Sequence, residues 1–295
     1  MSIPRKEHPS TYMVQDRDSQ EEFARLQLQD QLTTERMGGL LPEQPDPTTF
    51  KRVLDIACGT GGWLIEAAKA YPNMIQLFGT DISGKMLDYA RVQAEAAGVS
   101  DRVEFLVMDA LRMLEFPTAF FDLVNMRFAQ SFLRTWEWPK LLEEAQRVSK
   151  PGGVIRFTEV NFAIETSSQA LNSLYHVSVQ AFHRAGHYFT PEGNAVITHL
   201  PVLMHQHGVL NVQTRTYPMK FPAGTPEGQH FAEDMKLVYR TTLPFLKKWN
   251  NVPDDYEGIY QQAMRDMQAP DFVGAWDMLT AWGFNKGFQV FIDER

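Results

Sequence analysis

Five short apolar runs, rich in branched and aromatic side chains, recur between positions 53 and 158, and stretches with helical periodicity separate them. Apolar runs of this length predict buried strands, and strands joined through helices predict a parallel sheet. Helices cover both faces of such a sheet because the connections lie against it. The five predicted strands are Val53–Ala57, Ile75–Thr80, Val103–Val107, Phe121–Asn125 and Val154–Thr158.

The rhythm changes after position 160. We predict a strand over Val209–Lys220 and a last strand over Gly287–Asp293. Helical patterns over Ser167–Ala185 and Gly228–Met267 predict helices inserted among these later strands. The chain is therefore expected to divide into residues 1–50 (a helical cap and linker), 51–160 (the sheet core) and 161–295 (the rest of the sheet with a helical lid).

The N-terminal region carries its own start and stop signals. Ser19–Glu22 has the spacing of a capping box, in which the serine oxygen accepts from a free N–H and the glutamate reaches back. We predict a helix from there to Met37, before two glycines. Phe23 and Leu26 share one face of it, and we expect this face to close over a ligand site with Tyr12 nearby.

The strongest local signal is Asp55–Gly62, a glycine-rich turn between the first strand and the first helix. Glycines let a backbone approach a ligand closely, and a helix N-terminus offers free N–H groups. Asp81 ends the next strand, where a carboxylate can accept hydrogen bonds from two ribose hydroxyls. These features fit a dinucleotide site as well as an S-adenosylmethionine (SAM) site, so the glycine run alone leaves both open.

Three details favour SAM. Asp55 precedes the glycines, where a pyrophosphate would repel it, whereas SAM carries an ammonium and a sulfonium group. The third glycine of the dinucleotide motif is replaced by Leu64. Asp109–Ala110 ends the third strand, where a carboxylate can accept from the adenine amino group. Each aspartate taken alone could also be a helix cap.

The chain resembles the class I SAM-dependent methyltransferases, and most closely the group that includes the C-methyltransferases of ubiquinone and menaquinone biosynthesis. The segments that carry the likeness are Val53–Gly61, Gly79–Ser83, Met108–Ala110, Phe121–Val124 and Arg147–Gly153. The resemblance implies an α/β, Rossmann-like sheet of seven mostly parallel strands with an antiparallel last strand. It also implies transfer without a metal, and S-adenosylhomocysteine (SAH) as the product.

By this resemblance the first loop holds the methionine part of SAM, Asp81 and Ile82 the ribose and one adenine face, and Asp109 and Ala110 the adenine. The segment after the fourth strand is expected to line the methionine side. The expected cofactor-binding residues are Asp55, Ala57, Gly59, Thr60, Gly61, Asp81, Ile82, Met86, Asp109, Ala110, Asn125 and Arg127.

Methyl transfer to oxygen or carbon also requires removal of a proton. His176, His183 and His187 recur near helical spacing, and Glu159 follows the fifth strand at the edge where open sheets bind ligands. These four are the catalytic candidates, and a solvated or packed histidine stripe is the alternative. His183 with His187 has a metal-ligand spacing but lacks a third ligand, so no metal is expected.

Composition narrows the partners. A net charge of -8 argues against a nucleic-acid surface, and the single cysteine excludes an internal disulfide. No signal peptide or membrane span is expected, so we predict a cytoplasmic protein. The expected partner is a small apolar acceptor, with a homodimer left open. A protein or RNA methyltransferase, and a SAM-binding protein that does not methylate, are the alternatives.

Overall fold

A computed structural model describes residues 11–14, 19–192 and 196–287, without the side chains of 162–164. A seven-stranded sheet forms its centre, in the order β3-β2-β1-β4-β5-β7-β6. The strands are β1 (Arg52–Ile56), β2 (Gln76–Asp81), β3 (Val103–Val107), β4 (Phe121–Arg127), β5 (Ser149–Thr166), β6 (Val209–Pro222) and β7 (Val273–Asn285).

Nine α-helices of the described residues surround or extend this sheet. They are α1 (Gln20–Met37), α2 (Gly62–Ala70), α3 (Gly84–Ala96), α4 (Trp138–Val148), α5 (Gln169–Arg184), α6 (Leu200–Gln206), α7 (Pro226–Thr241), α8 (Leu243–Trp249) and α9 (Tyr256–Asp266). Short 3-10 helices cover Pro47–Thr49 and Ala129–Ser131. No helix in the part of the chain that the structure describes is both long and apolar enough to cross a membrane.

The strand directions confirm the predicted sheet. β1 to β5 are parallel to one another. β7 pairs antiparallel with both β5 and β6, so among the described strands it is the one whose direction is opposite to the rest of the sheet. The last strand that the structure describes, Val273–Asn285, was not predicted as a strand, and a last strand was predicted at Gly287–Asp293 instead. Residues 288–293 of that prediction lie outside the described residues.

Alternating side chains place helices on both faces of the sheet. Val53 and Leu123 pack into one apolar cluster with α2 and α3, whereas their neighbours Leu54 and Val124 pack into a second cluster with α4 and α5. A strand points successive side chains to opposite faces, so two clusters covered by helices require strands that are apolar at every position. This explains why the core strands appear in the sequence as continuous apolar runs.

The fifth strand is longer than predicted. It extends from Ser149 to Thr166, and its far end pairs with β7 at Glu165 and Ala275. β6 follows β7 over the same length, from Val209 opposite Asn285 to Pro222 opposite Val273. The part of the chain after residue 160 therefore combines long strands of the sheet with helices.

Helix α1 caps the molecule and begins at Ser19, whose hydroxyl accepts from the Glu22 N–H as predicted. The Glu22 side chain is fully buried and accepts hydrogen bonds from Arg25 and Tyr12. The glutamate half of the capping box is thus replaced by a buried polar cluster. α1 contacts α2 on one side and α7 on the other.

Candidate functional site

A cavity of about 610 Å³ lies where β1, β2, β3 and β4 end. The loops after parallel strands meet at this edge, so it is where ligands bind in open α/β sheets. Most of the predicted cofactor residues contribute to its lining: Asp55, Ala57, Gly59, Thr60, Asp81, Ile82, Met86, Asp109, Ala110 and Arg127. Gly61 and Asn125 lie directly behind it.

The glycine loop adopts a backbone that few side chains tolerate. Ala57, Gly59 and Gly61 all have positive φ, at 54°, 55° and 74°. A Cβ on Gly61 would lie 2.7 Å from the Phe105 ring, so this position is closed to any larger residue. Ala57 is a non-glycine residue in the left-handed region, which costs about 1–2 kcal/mol. Steric constraints at Ala57 and Gly61 therefore shape the loop, and the glycine spacing in the sequence indicates only part of them.

Asp55 is the buried acid of this edge. Its Oδ1 accepts from Asn125 Nδ2 at 2.7 Å, and Asn125 Oδ1 in turn accepts from Arg156 Nη1 at 2.7 Å. Desolvation raises the pKa of Asp55 to about 7, although Arg127 and the Asn125 hydrogen bond act in the opposite direction. Asn125 thus orients Asp55 from behind, as a positioning residue rather than a lining one.

Asp81 closes the next loop. Its two oxygens accept from the backbone N–H groups of Gly59, at 3.0 Å, and Ser83, at 2.8 Å. Both oxygens keep lone pairs that can accept from hydroxyl groups, since a carboxylate offers about four acceptor positions. Asp81 therefore both joins the two loops and presents acceptors to the cavity.

The far end of the cavity is more apolar. Ile82, Met86 and Met108 line it beside Asp109, whose Oδ1 accepts from the Leu111 N–H at 2.9 Å. The chemistry thus changes in strand order: a buried acid at the end of β1, a carboxylate that can accept from hydroxyl groups at the end of β2, and an apolar slot with a carboxylate after β3. An ammonium-bearing amino acid, a ribose and an adenine match this order, so the residues fit SAM.

Helix α1 supplies part of the cavity that the motif does not include. Tyr12 and Leu26 line it, as expected, and Gln29 and Asp30 join them. Asp30 forms an ion pair with Arg127 at the end of β4. Asp30 follows Leu26 by four residues, which places both on one helix face; this spacing was the available signal for it.

A second, smaller cavity of about 50 Å³ adjoins the first. Met13, Arg25, Gln29 and Phe128 line both, so the two cavities share a wall. The remaining lining comes from α5, α7 and the far ends of β5, β6 and β7, and includes Tyr175, Phe182, Met219, Phe221, Asp234, Met235 and Met278. Two further aromatic residues, Tyr188 and Trp276, also belong to it.

The three histidine candidates lie away from both cavities. His176 and His183 are exposed on α5. His187 is buried among Phe182 and Phe245, with Nδ1 3.0 Å from the Leu133 carbonyl, and burial lowers its pKa to about 4. The helical spacing therefore reflects two exposed histidines on α5 and one histidine that is packed in the core. This arrangement agrees with the alternative interpretation of a solvated or packed histidine stripe.

Glu159 is fully buried beneath the site. Its carboxylate accepts from the N–H groups of Ala129, at 2.7 Å, and Gln130, at 3.4 Å, the first two residues of a 3-10 helix. Burial raises its pKa to about 8. Glu159 therefore stabilises the turn that carries Phe128 and Gln130. It does not line either cavity, where a general base would contact the ligand.

Metal-ligating side chains do not gather in threes among residues 11–14, 19–192 and 196–287. The fit of this edge to SAM depends on carboxylates, backbone groups and apolar contacts alone.

Comparison with known proteins agrees with this geometry. A methyltransferase-domain model matches residues 53–153. A 27-O-demethylrifamycin SV methyltransferase from Amycolatopsis mediterranei is 34% identical over 240 residues, covering 81% of this chain and 73% of that relative. The chain belongs to the class I SAM-dependent methyltransferases, and SAM is its cofactor.

Other relatives share a shorter part of the chain. A demethylmenaquinone methyltransferase from Geobacillus kaustophilus is 32% identical over 121 residues, which cover 41% of this chain and 47% of that enzyme. The chain thus spans about half the length of such relatives. The solved structure of the YcgJ protein from Bacillus subtilis shares the fold, with a TM-score of 0.52, 17% identity and coverage of 86% of this chain and 99% of that one.

Proposed function

We propose that this protein transfers the methyl group of SAM to an oxygen, nitrogen or carbon atom of a small, largely apolar molecule. The observation that carries the proposal is the pair of adjacent cavities that share Met13, Arg25, Gln29 and Phe128. The larger one has the residues for the cofactor. The smaller one is lined mainly by aromatic and methionine side chains, as small-molecule sites are.

The chemistry assigned to the chain is binding and positioning. Methyl transfer from a sulfonium is an in-line displacement, and holding the reactants in line supplies much of the acceleration. Bound SAM supplies the methyl group and a sulfur leaving group. Asp55 holds a positive group at one end of the large cavity, and the Phe128 backbone, with φ +61°, is placed where the cavities adjoin.

Small-molecule relatives support the acceptor class. The Amycolatopsis relative is named for 27-O-demethylrifamycin SV, and the Geobacillus relative for demethylmenaquinone. Both names are those of small molecules. The side chains around the smaller cavity suit such an acceptor better than they suit a charged polymer, and the net charge of -8 agrees.

Calorimetric titration with SAM, SAH, NADH and NADPH tests the cofactor part. We expect micromolar SAM and SAH binding and none by the nicotinamides. Turnover is then measured as SAH formation with aromatic and isoprenoid acceptors. Binding of SAM without methylation of any acceptor would favour the alternative, a SAM-binding protein that does not methylate. Methylation of an RNA or protein instead would contradict the acceptor class.

We further propose that the protein works in the cytoplasm, and a homodimer is compatible with the proposal. The single free cysteine, Cys58, agrees with a reducing compartment. Imaging of a tagged chain tests the location, and light scattering of the purified protein tests the assembly state.

A further inference from the structure

The smaller cavity has an unusual concentration of unpaired polar atoms. Eight buried side-chain nitrogen or oxygen atoms of the described residues lack a hydrogen-bond partner, and four of them belong to residues that line this cavity. They are Arg25 Nη1, Asp234 Oδ1, Tyr175 Oη and Trp276 Nε1. Arg25 Nη1 and Asp234 Oδ1 form an ion pair with each other at 3.5 Å but no hydrogen bond. A buried polar atom without a hydrogen bond costs about 1–3 kcal/mol, so these atoms favour a polar ligand in the cavity.

Arg25 and Asp234 form the centre of this group. Arg25 is 1% exposed and its Nη2 and Nε atoms donate to Glu22 at 2.6 and 2.8 Å. Its third nitrogen, Nη1, lies 3.5 Å from Oδ1 of Asp234, without hydrogen-bond geometry. Glu22 thus accepts hydrogen bonds from two of the three guanidinium nitrogens, and Asp234 interacts with the third only as an ion pair at 3.5 Å.

The charges in this cluster do not balance. One guanidinium faces two buried carboxylates, Glu22 and Asp234, while Tyr12 adds a hydroxyl that donates to Glu22. The pKa of Asp234 is raised to about 6, because desolvation and the nearby Glu22 carboxylate outweigh the effect of Arg25, which lowers it. Asp234 is therefore a carboxylate that can take up a proton near neutral pH, which is the property of an effective general base.

The hydrogen-bonding properties of Arg25 Nη1 and Asp234 Oδ1 determine which ligand group can bind both atoms. Arg25 Nη1 can only donate, and ionised Asp234 can only accept. A hydroxyl group does both, so it satisfies the two together. A carbonyl would leave Asp234 unpaired, and an ammonium would be repelled by Arg25 and leave it without an acceptor.

The location selects the reacting group. Arg25 lines both cavities, whereas Asp234 lines the smaller one alone. A hydroxyl between them lies at the boundary with the cofactor cavity. The smaller cavity, at about 50 Å³, admits an acceptor ring only if Met219, Met235 and Met278 repack around it. Methionine side chains are adaptable and can repack around such a ring.

We propose that Arg25 and Asp234 bind the acceptor hydroxyl that is methylated, and that Asp234 takes its proton. The proposal rests on the methyltransferase function proposed above and assigns O-methylation to it. As the oxygen bonds to the methyl carbon, the carbon–sulfur bond breaks and its electron pair stays on sulfur. The hydroxyl proton moves to Asp234 Oδ1 and leaves to solvent after product release. Arg25 donates to the oxygen throughout.

The test measures binding to the protein saturated with SAH, using naphthol, methoxynaphthalene and aminomethylnaphthalene as probes. SAH binding is measured first, so failure of the cofactor function is recognised separately. We expect wild type to bind naphthol about tenfold or more tightly than the other two, because only naphthol pairs both unsatisfied groups. In Asp234→Asn the preference should fall by about threefold or more, since a neutral acceptor is weaker.

Glu233→Gln is the matched control. It removes the same charge from the same helix, where the side chain is 55% exposed and pairs with Lys236. This variant should keep the wild-type preference for naphthol and the wild-type affinity for SAH.

The pH dependence gives a second readout that does not need a variant. Naphthol affinity for wild type should fall about tenfold from pH 7 to pH 5, as Asp234, which faces Arg25 and Glu22, becomes protonated. Asp234→Asn should show no such fall. Equal binding of naphthol and methoxynaphthalene, tightest binding of the amine, or a flat pH profile in wild type would each overturn the assignment.

Discussion

The two cavities of this protein are built in different ways. The cofactor cavity lies on four strand ends within positions 52–127, and its wall contains much backbone: left-handed residues, loop N–H groups and carboxylates that bind those loops. The smaller cavity is lined by side chains from α1, α5, α7 and three strand ends, over 200 residues apart in the chain. The shape of the cofactor cavity depends mainly on local backbone geometry, whereas the shape of the smaller cavity depends on packing between distant elements.

This difference teaches where each site can change. A cavity formed by backbone loses its shape when a glycine is replaced, but the ligand that it binds does not depend on the side chains outside it. A cavity made by side chains from several elements can be remodelled one residue at a time. The following predictions test this contrast, beginning with the largest effect.

Gly61→Ala should have the largest effect. The added Cβ would lie 2.7 Å from Phe105 and 3.0 Å from Ala90, at φ +74°. We expect a loss of about 3 kcal/mol or more in the free energy of unfolding, measured by denaturant titration, with weaker SAH binding. Gly98→Ala is the matched control, because Gly98 has φ +68° and open space. It should lose only about 1 kcal/mol; equal losses would contradict the role of the close approach.

Asp55→Asn should weaken SAM and SAH binding by roughly 10- to 100-fold, because a charged partner for the ammonium group is lost. In wild type, affinity should also fall as the pH drops below about 7, where Asp55 becomes protonated beside Arg127, Asp30 and Arg156. Calorimetry between pH 6 and 8 checks both effects. Asp88→Asn, on the exposed face of α3, is the control that should change neither.

Glu159→Gln should alter the pH dependence of stability by about 1 kcal/mol per pH unit. A carboxyl pKa raised from 4.5 to about 8 contributes stability below pH 4.5, and this contribution is lost as the pH rises through 8. The variant should therefore gain stability relative to wild type from pH 6 to pH 8, in unfolding titrations. Glu165→Gln, exposed on the same strand, should follow wild type; an unchanged slope in Glu159→Gln would refute the assignment.

Ala57→Gly should have the smallest effect. It relieves a left-handed alanine, at φ 54°, but adds freedom to the unfolded chain, so we expect a net gain of about 0.5 kcal/mol. Thermal unfolding measures it, with Ala119→Gly as a second left-handed alanine, at φ 58° and away from the site. Both should stabilise alike. A marked loss of SAH affinity in Ala57→Gly alone would show that the alanine methyl contributes to the site.

The cofactor edge could be predicted largely because its determinants are local. Asp55 lies near the end of β1, Asp81 ends β2 and Asp109 follows β3 by two residues, so alternation and turn chemistry suffice to place them. The strand at 273–285 was missed because its aromatic residues suit both a strand and a packed helix. The role of the histidines could not be predicted from their spacing, because helical spacing shows that residues share a face, and not whether that face contacts the ligand.

The amino-acid sequence by itself determined the parallel core and the chemistry at three strand ends, since these depend on patterns within a few residues. The tertiary structure alone decided that α1 places Arg25 opposite Asp234 of α7, and that Glu159 supports a turn instead of facing the ligand. Contacts between residues 200 positions apart follow from packing of the whole chain, and no local pattern encodes them.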